Sequence, residues 1–282
     1  MTDAIDLCAG IGWAEACSQV GITELGVEIL PEAIQTRKVM GTDTIDKSVA
    51  DLPDDFCAGV RIQIAGPPCQ TFSLAGHGTG RWQLDEVLRR AEHFRITGDL
   101  IRDCVGDPRT WLVLEPLRLA MYGQPEFVVW EQVPSVLPVW DTCEDIFIEA
   151  GYSAWSGIIR AEQYGVPQTR KRAFFIARRD GKIAGPPPVT HSRYHERDPF
   201  KMDSGVLPWV SMNDALDFDA VMRSNYGTGG DPRNRGERTT DQPAPTVTSK
   251  INRNKWHYRS STMPGATRRY LNQPAPTVAF GN

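Results

Sequence analysis

A chain of 282 residues is long enough for one large domain and a smaller one. Its 40% hydrophobic and 23% charged content describes a soluble globular protein and leaves no span of about 20 apolar residues for a membrane. The formal net charge of −4 excludes bulk basic charge as a source of nucleic-acid affinity, so any such contact needs a local basic cluster.

The N-terminus lacks the basic and apolar regions of a signal peptide. Six cysteines show no CxxC pair and no zinc spacing, which points to reduced thiols in a cytoplasmic protein without a metal. Residues 4–6 begin a strand that runs into Asp6-Leu7-Cys8-Ala9-Gly10-Ile11-Gly12. A helix pattern follows from Trp13 to Val20 and stops at Gly21. Strand, glycine turn and helix is the layout of a nucleotide- or nucleoside-binding turn, although GxG alone also fits an ordinary tight turn.

A second strand, Glu24–Ile29, carries Glu28 near its end, where an acid reaches ribose hydroxyls. Pro31 opens a helix that runs to Met40. A third strand is expected near Lys47-Ser48-Val49. The fourth, Val60–Ile64, leads into Gly66-Pro67-Pro68-Cys69-Gln70-Thr71-Phe72-Ser73. Two prolines fix two φ angles here and hold the Cys69 thiol on a stiff turn at a strand end. A structural cysteine needs no such pedestal. This βαβα alternation predicts an α/β fold with a Rossmann-like, mostly parallel, doubly wound sheet.

Residues 82–103 read as an amphipathic helix inserted over the Cys69 loop, and Trp111–Met121 as a long buried helix capped by Gly123. The strand Pro125–Trp130 places Glu131 at its end, near the same crevice. A helix near Cys143–Ala150 and a strand over Tyr152–Arg160 follow. Gln168-Thr169-Arg170-Lys171-Arg172 then enters a strand at Ala173–Ala177, and its basic residues read as an anion or base-edge clamp. Pro186–Pro188 marks a change of composition. The expected division is a catalytic domain over 1–182 and a smaller, irregular region over 183–282. Within the latter, Arg238–Val247 is echoed by Arg269–Val278, and Arg253, Lys255 and Trp256 form a basic, aromatic stretch suited to phosphates and bases.

Together these motifs resemble the DNA cytosine-C5 methyltransferase family. The match is carried by Asp6–Gly12, by Gly66–Ser73, by Glu131-Gln132-Val133 and by Gln168-x-Arg170-x-Arg172, in that order. It covers roughly residues 4–180, and the later region more loosely. The resemblance implies S-adenosylmethionine as cofactor. Gly10 and Gly12 would line its amino-acid part, Glu28 its ribose, and Ile29, Val49, Pro68 and Leu112 its adenine, with Asp6, Cys8 and Ile11 also in the cofactor site. It implies Cys69 as nucleophile on cytosine C6, Glu131 at N3, and Arg172 at O2, with Arg170 supporting it or a phosphate. The partner would be double-stranded DNA, with Gln70, Ser73, Arg253 and Lys255 in contact and the target base flipped out.

The chain departs from the family at Cys8 (usually Phe), at Trp13 (usually Gly) and at Gln132 (usually Asn). Ser48 falls near the place of an adenine-binding Asp. The family's closing Gly-Asn-x-Val-Pro segment is not matched at Gly281-Asn282, so the expectation is either a truncated chain or a second chain that supplies the segment. The catalytic residues alone leave tRNA open as a substrate, and a non-catalytic DNA- or partner-binding module remains the reading from another class.

Overall fold

The computed structural model describes residues 2–72, 83–102, 106–195, 197–198, 200–216, 220–223, 237–245 and 255–258. Two compact units emerge: 1–159 with 172–187, and 160–171 with 188–282. This division differs from the expected boundary after residue 182, because 160–171 groups with the second unit.

The first unit is built on a seven-stranded sheet. Its strands are β1 (Ala4–Leu7), β2 (Glu24–Glu28), β3 (Asp43–Asp46), β4 (Ile62–Ala65), β5 (Phe127–Gln132), β6 (Ser153–Arg160) and β8 (Lys171–Arg178), in the order β3-β2-β1-β4-β5-β8-β6. The pairs from β3 through β5 are parallel, and β8 runs antiparallel to β5. The chain leaves β1 toward β2 on one side and returns to β4 on the other. A crevice opens at that switch point, outside the carboxyl ends of β1 and β4. All four residues of β1 are buried, as an apolar central strand covered on both faces requires.

Helices follow the strands: α1 (Gly12–Gln19), α2 (Pro31–Met40), α3 (Leu84–Thr97), α4 (Pro108–Trp111), α5 (Glu115–Gly123) and α6 (Leu137–Glu149). Pro31 sits in the first turn of α2, and Gly41 ends it in a left-handed conformation. The core centres on Trp130, Trp140, Phe147 and Phe175, all fully buried. Trp130 and Phe175 face each other in the β5–β8 register and stack at 4.4 Å between ring centroids. Burial of each such ring stabilises the fold by about 2–3 kcal/mol.

Four expectations about the first unit's elements change. The third strand lies at Asp43–Asp46, not at 47–49; Ser48 instead caps a short 3-10 turn by accepting from the Ala50 amide at 3.3 Å. The long helix over 111–121 is broken into α4, a 3-10 turn over Leu112–Leu114, and α5, whose first turn holds Pro116. Gln124, not Gly123, adopts the left-handed terminal conformation. Gly123 serves packing, since a Cβ there would fall 2.6 Å from that of Cys57. The cover expected over 82–103 is, in its described part, a core helix: Val87, Arg90, Ala91 and Phe94 of α3 are buried.

The second unit holds the short parallel pair β7 (Gln168–Thr169) with β11 (Ala244–Pro245). It also holds an antiparallel sheet of β9 (Ala220–Arg223), β10 (Glu237–Thr239) and β12 (Lys255–Tyr258). A short helix, α7 (Met212–Leu216), precedes β9. The second copy of the internal echo, like Ser73, Cys104 and Arg253, lies outside the described residues. Among the described residues no helix is long and apolar enough to cross a membrane.

Candidate active site

Four loops of the first unit leave the same edge of the sheet. The first follows β1. Cys8 and Gly10 both take left-handed backbone angles, φ +56° and +52°, which turn the chain sharply into α1. The Gly10 amide donates to Glu28 Oε2 at 2.8 Å. Glu28 Oε1 accepts from the amides of Ile29 at 2.7 Å and Leu30 at 2.9 Å. The carboxylate thus ties the glycine turn to the end of β2. Added Cβ atoms at Gly10 and Gly12 would meet nothing within 4 Å, so the turn faces open space.

Beneath this turn lies Asp6, fully buried, with neither carboxylate oxygen hydrogen-bonded. Burial pushes its carboxyl well above the usual range, Glu24 adds to that, and Arg37 partly offsets it. Burial likewise pushes the half-buried Cys8 thiol up, with Glu28 and Asp6 adding to it. Ile11 and Ile29 are exposed beside the turn, Val49 is buried, and Pro68 and Leu112 are half-buried. Arg118 Nη2 reaches the Val49 carbonyl at 3.3 Å and fixes the segment after β3. Sequence reasoning missed Asp46. It is the last residue of β3, opposite Glu28 in register, and an acid at a strand end was the available signal.

The second loop follows β4. The Gly66 amide donates to the Leu7 carbonyl at 3.0 Å, which keeps this loop beside the glycine turn. Cys69 and Gln70 are exposed. Cys17, Cys57 and Cys143 are buried, and burial holds the Cys57 thiol up at about 11. Cys69 is therefore the presented thiol among the described cysteines.

Across from it, β5 and β8 bring Glu131 and Arg172 together. Glu131 stands opposite Phe174. Arg172, two residues earlier, shares the face of Phe174 and lies diagonal to Glu131. Its Nε is 2.6 Å from Glu131 Oε1, and both side chains are half-buried. The next residue, Gln132, is buried and donates from Nε2 to the Pro67 carbonyl at 2.8 Å, while its Oε1 accepts from the Val133 amide. Ser135 Oγ donates to the Phe72 carbonyl at 2.8 Å. Sequence reasoning assigned neither bond.

Arg170 belongs to the second unit. There its carbonyl accepts from the Ala161 amide at 2.8 Å. Lys255 lies on β12 of that unit. Among the described residues no three His, Cys, Asp or Glu side chains gather as a metal site.

The sequence profile of the family described as C-5 cytosine-specific DNA methylase matches residues 2–274. The chain belongs to this family. Among curated relatives, the type II methyltransferase M.SacI of Streptomyces achromogenes is 32% identical over 160 residues, 55% of this chain and 36% of the relative. M1.HphI of Haemophilus parahaemolyticus is 30% identical over 206 residues, 68% of this chain and 50% of the relative. M.FnuDI of Fusobacterium nucleatum is 29% identical over 217 residues, 71% and 56% respectively. The chain thus spans between about a third and just over half of these relatives' lengths. A crystal structure of a candidate DNA modification methyltransferase encoded within an E. coli prophage superposes with a TM-score of 0.50 at 20% identity. It covers 82% of this chain and 62% of that one, and it speaks to the fold alone.

Proposed function

We propose that the chain methylates C5 of cytosine in double-stranded DNA, with S-adenosylmethionine as donor. One observation carries the reading: an exposed thiol and a carboxylate–guanidinium pair stand at the ends of neighbouring strands β4, β5 and β8. The residues after β1 and β2 fit the donor. Asp6 offers an unpartnered carboxylate below a glycine turn with room above it, and Glu28 and Asp46 add acids for hydroxyls and an amine. Cys8, Gly10, Ile11 and Gly12 would hold its amino-acid part, and Ile29, Val49, Pro68 and Leu112 its base. When bound, the donor supplies an electrophilic methyl group.

Cytosine C5 is a poor nucleophile. The Cys69 thiolate adds to C6 and makes the ring enamine-like. Electron density then moves toward N3, where Glu131 donates a proton or hydrogen bond. Arg172 orients Glu131 and stabilises charge at O2, with Arg170 supporting it or a phosphate. C5 takes up the methyl group, leaving the donor as the neutral thioether; loss of the C5 proton to a base then lets that electron pair re-form the ring double bond as the C6–sulfur bond breaks and Cys69 is freed as thiolate. C6 is out of reach inside a stacked duplex, so the base is flipped. Gln70, Ser73, Arg253 and Lys255 would contact the DNA, and residues 183–282 would serve groove and backbone contact.

The test is transfer of labelled methyl from S-adenosylmethionine to mixed-sequence duplex DNA, with tRNA as competitor. Label in 5-methylcytosine of DNA is expected, and Cys69→Ser should abolish the adduct formed with 5-fluorocytosine DNA. Label in tRNA alone would move the substrate to RNA. No label and no adduct in either would reject the reading in favour of a binding module.

A further inference from the structure

The Cys69 loop has an unusual deficit. Pro67 and Pro68 carry no N–H, so between the Gly66 amide, which donates to Leu7, and Cys69 the stretch has no backbone donor of its own. Its carbonyls are braced from outside, at both ends, by one short segment. Gln132 Nε2 takes the Pro67 carbonyl at 2.8 Å, and Ser135 Oγ takes the Phe72 carbonyl at 2.8 Å. The Gln132 amide has its orientation set by its partners, because Oε1 accepts from the Val133 amide while Nε2 donates to Pro67. Gln132 is 1% exposed, so this bond is shielded from water.

That segment begins with Glu131. We infer that Gln132 and Ser135 are positioning residues: a pair of staples that sets the Cys69 thiol against the Glu131 carboxyl for attack on the cytosine ring. The inference rests on the methylation reading for its chemistry. Its mechanical part stands on the two bonds alone. Neither side chain need touch substrate. Gln132 acts one residue from Glu131 and two from Cys69, through the Pro67 carbonyl. Ser135 closes the far end, at Phe72, whose amide also turns back onto the Cys69 carbonyl at 3.1 Å. A loop held at one end only would swing about that point. Misplacement of a reacting group by about 1 Å costs on the order of 10²-fold in rate, so loose staples should appear in adduct formation before they appear in binding.

Three variants test this in the full chain: Gln132→Met, which keeps length but loses the amide; Ser135→Ala; and Ser135→Thr, which keeps the hydroxyl. Single-turnover adduct formation with 5-fluorocytosine DNA and S-adenosylmethionine is followed alongside DNA affinity, donor affinity and amide hydrogen exchange over 66–72. Gln132→Met and Ser135→Ala should each slow the adduct by roughly 10- to 100-fold and speed exchange in the loop, with both affinities within about twofold of wild type. Ser135→Thr should stay near wild type. Wild-type adduct rates and exchange in both deletion variants would overturn the inference. So would a fall in DNA affinity that matches the fall in rate. Should the wild-type chain form no adduct, the methylation reading fails, and exchange over 66–72 alone still decides whether the staples hold the loop.

Discussion

Arg172 Nε lies 2.6 Å from Glu131 Oε1 across the antiparallel pair β5–β8, diagonal rather than directly opposite in register. The contact is made by the guanidinium nitrogen nearest the stem, one donor of a planar fork. An ammonium cannot copy that fork. Arg172→Lys should therefore lower kcat by about 10²- to 10³-fold, the usual cost of one aimed donor, with a smaller effect on DNA affinity. Methyl incorporation under single-turnover conditions, beside a DNA-binding titration, checks this.

Glu28 accepts three backbone N–H groups, from Gly10, Ile29 and Leu30. Glu28→Gln leaves one oxygen to serve two separate sides and turns an NH₂ toward a backbone donor. Hydrogen bonds to a charged group are worth about 1.5–3 kcal/mol, so donor affinity should drop by about tenfold or more. Calorimetric titration with S-adenosylmethionine measures it. An unchanged affinity would mean that the glycine turn is held by other contacts.

A Cβ on Gly26 would fall 2.3 Å from Arg37 Nη2 and 2.9 Å from the Ala9 Cβ. Arg37 cannot withdraw, since it is fully buried and bonded to Glu24, Thr44 and the Asp43 carbonyl. Gly26→Ala should destabilise the first unit by about 1–3 kcal/mol, as overpacking of a rigid site does. Urea denaturation reads this as a lower midpoint at unchanged slope.

Asp6 makes stability depend on pH. Its folded pKa is raised, so its favourable contribution is complete below its unfolded value, about 3.9, and is lost as pH rises through the folded value. Asp6→Asn removes this titration. The variant should gain stability over wild type as pH rises from 4 to 8, and should bind the methyl donor less well. Urea melts across that range test the first part; a constant difference between the two proteins would show that Asp6 does not titrate there.

Cys69 is exposed, whereas burial pushes up the thiols of Cys57 and Cys143. A thiol alkylating agent at neutral pH should label Cys69 in the native state and reach Cys57 and Cys143 only after denaturation. Peptide mass spectrometry distinguishes the two. Labelling should block adduct formation in proportion to Cys69 occupancy.

Some of this was legible in residue order. Proline restricts φ wherever it occurs, so Pro67-Pro68-Cys69 announced a presented thiol without any knowledge of its neighbours. The run Gln168-Thr169-Arg170-Lys171-Arg172 read as a basic segment entering a strand, and β8 begins within it, at Lys171. Boundaries were less legible. The strand sought at 47–49 lies four residues earlier, because pairing with β2 rather than local propensity decides where β3 ends. Gly123 looked like a helix cap and proved to be a contact for Cys57, a residue far away in sequence.

The sequence by itself determined the chemistry on offer and the edge of the sheet that bears it, because residue types, strand–turn–helix alternation and proline stiffness are local properties. Only the tertiary structure decided which groups meet: Glu131 with Arg172, Gln132 with Pro67, Ser135 with Phe72, Glu28 with Gly10, and Asp6 with no partner at all. Apart from Glu131 and Arg172, these pairings join a side chain to a backbone group 18 to 65 residues away, and strand register and loop closure create them with no trace in local spacing.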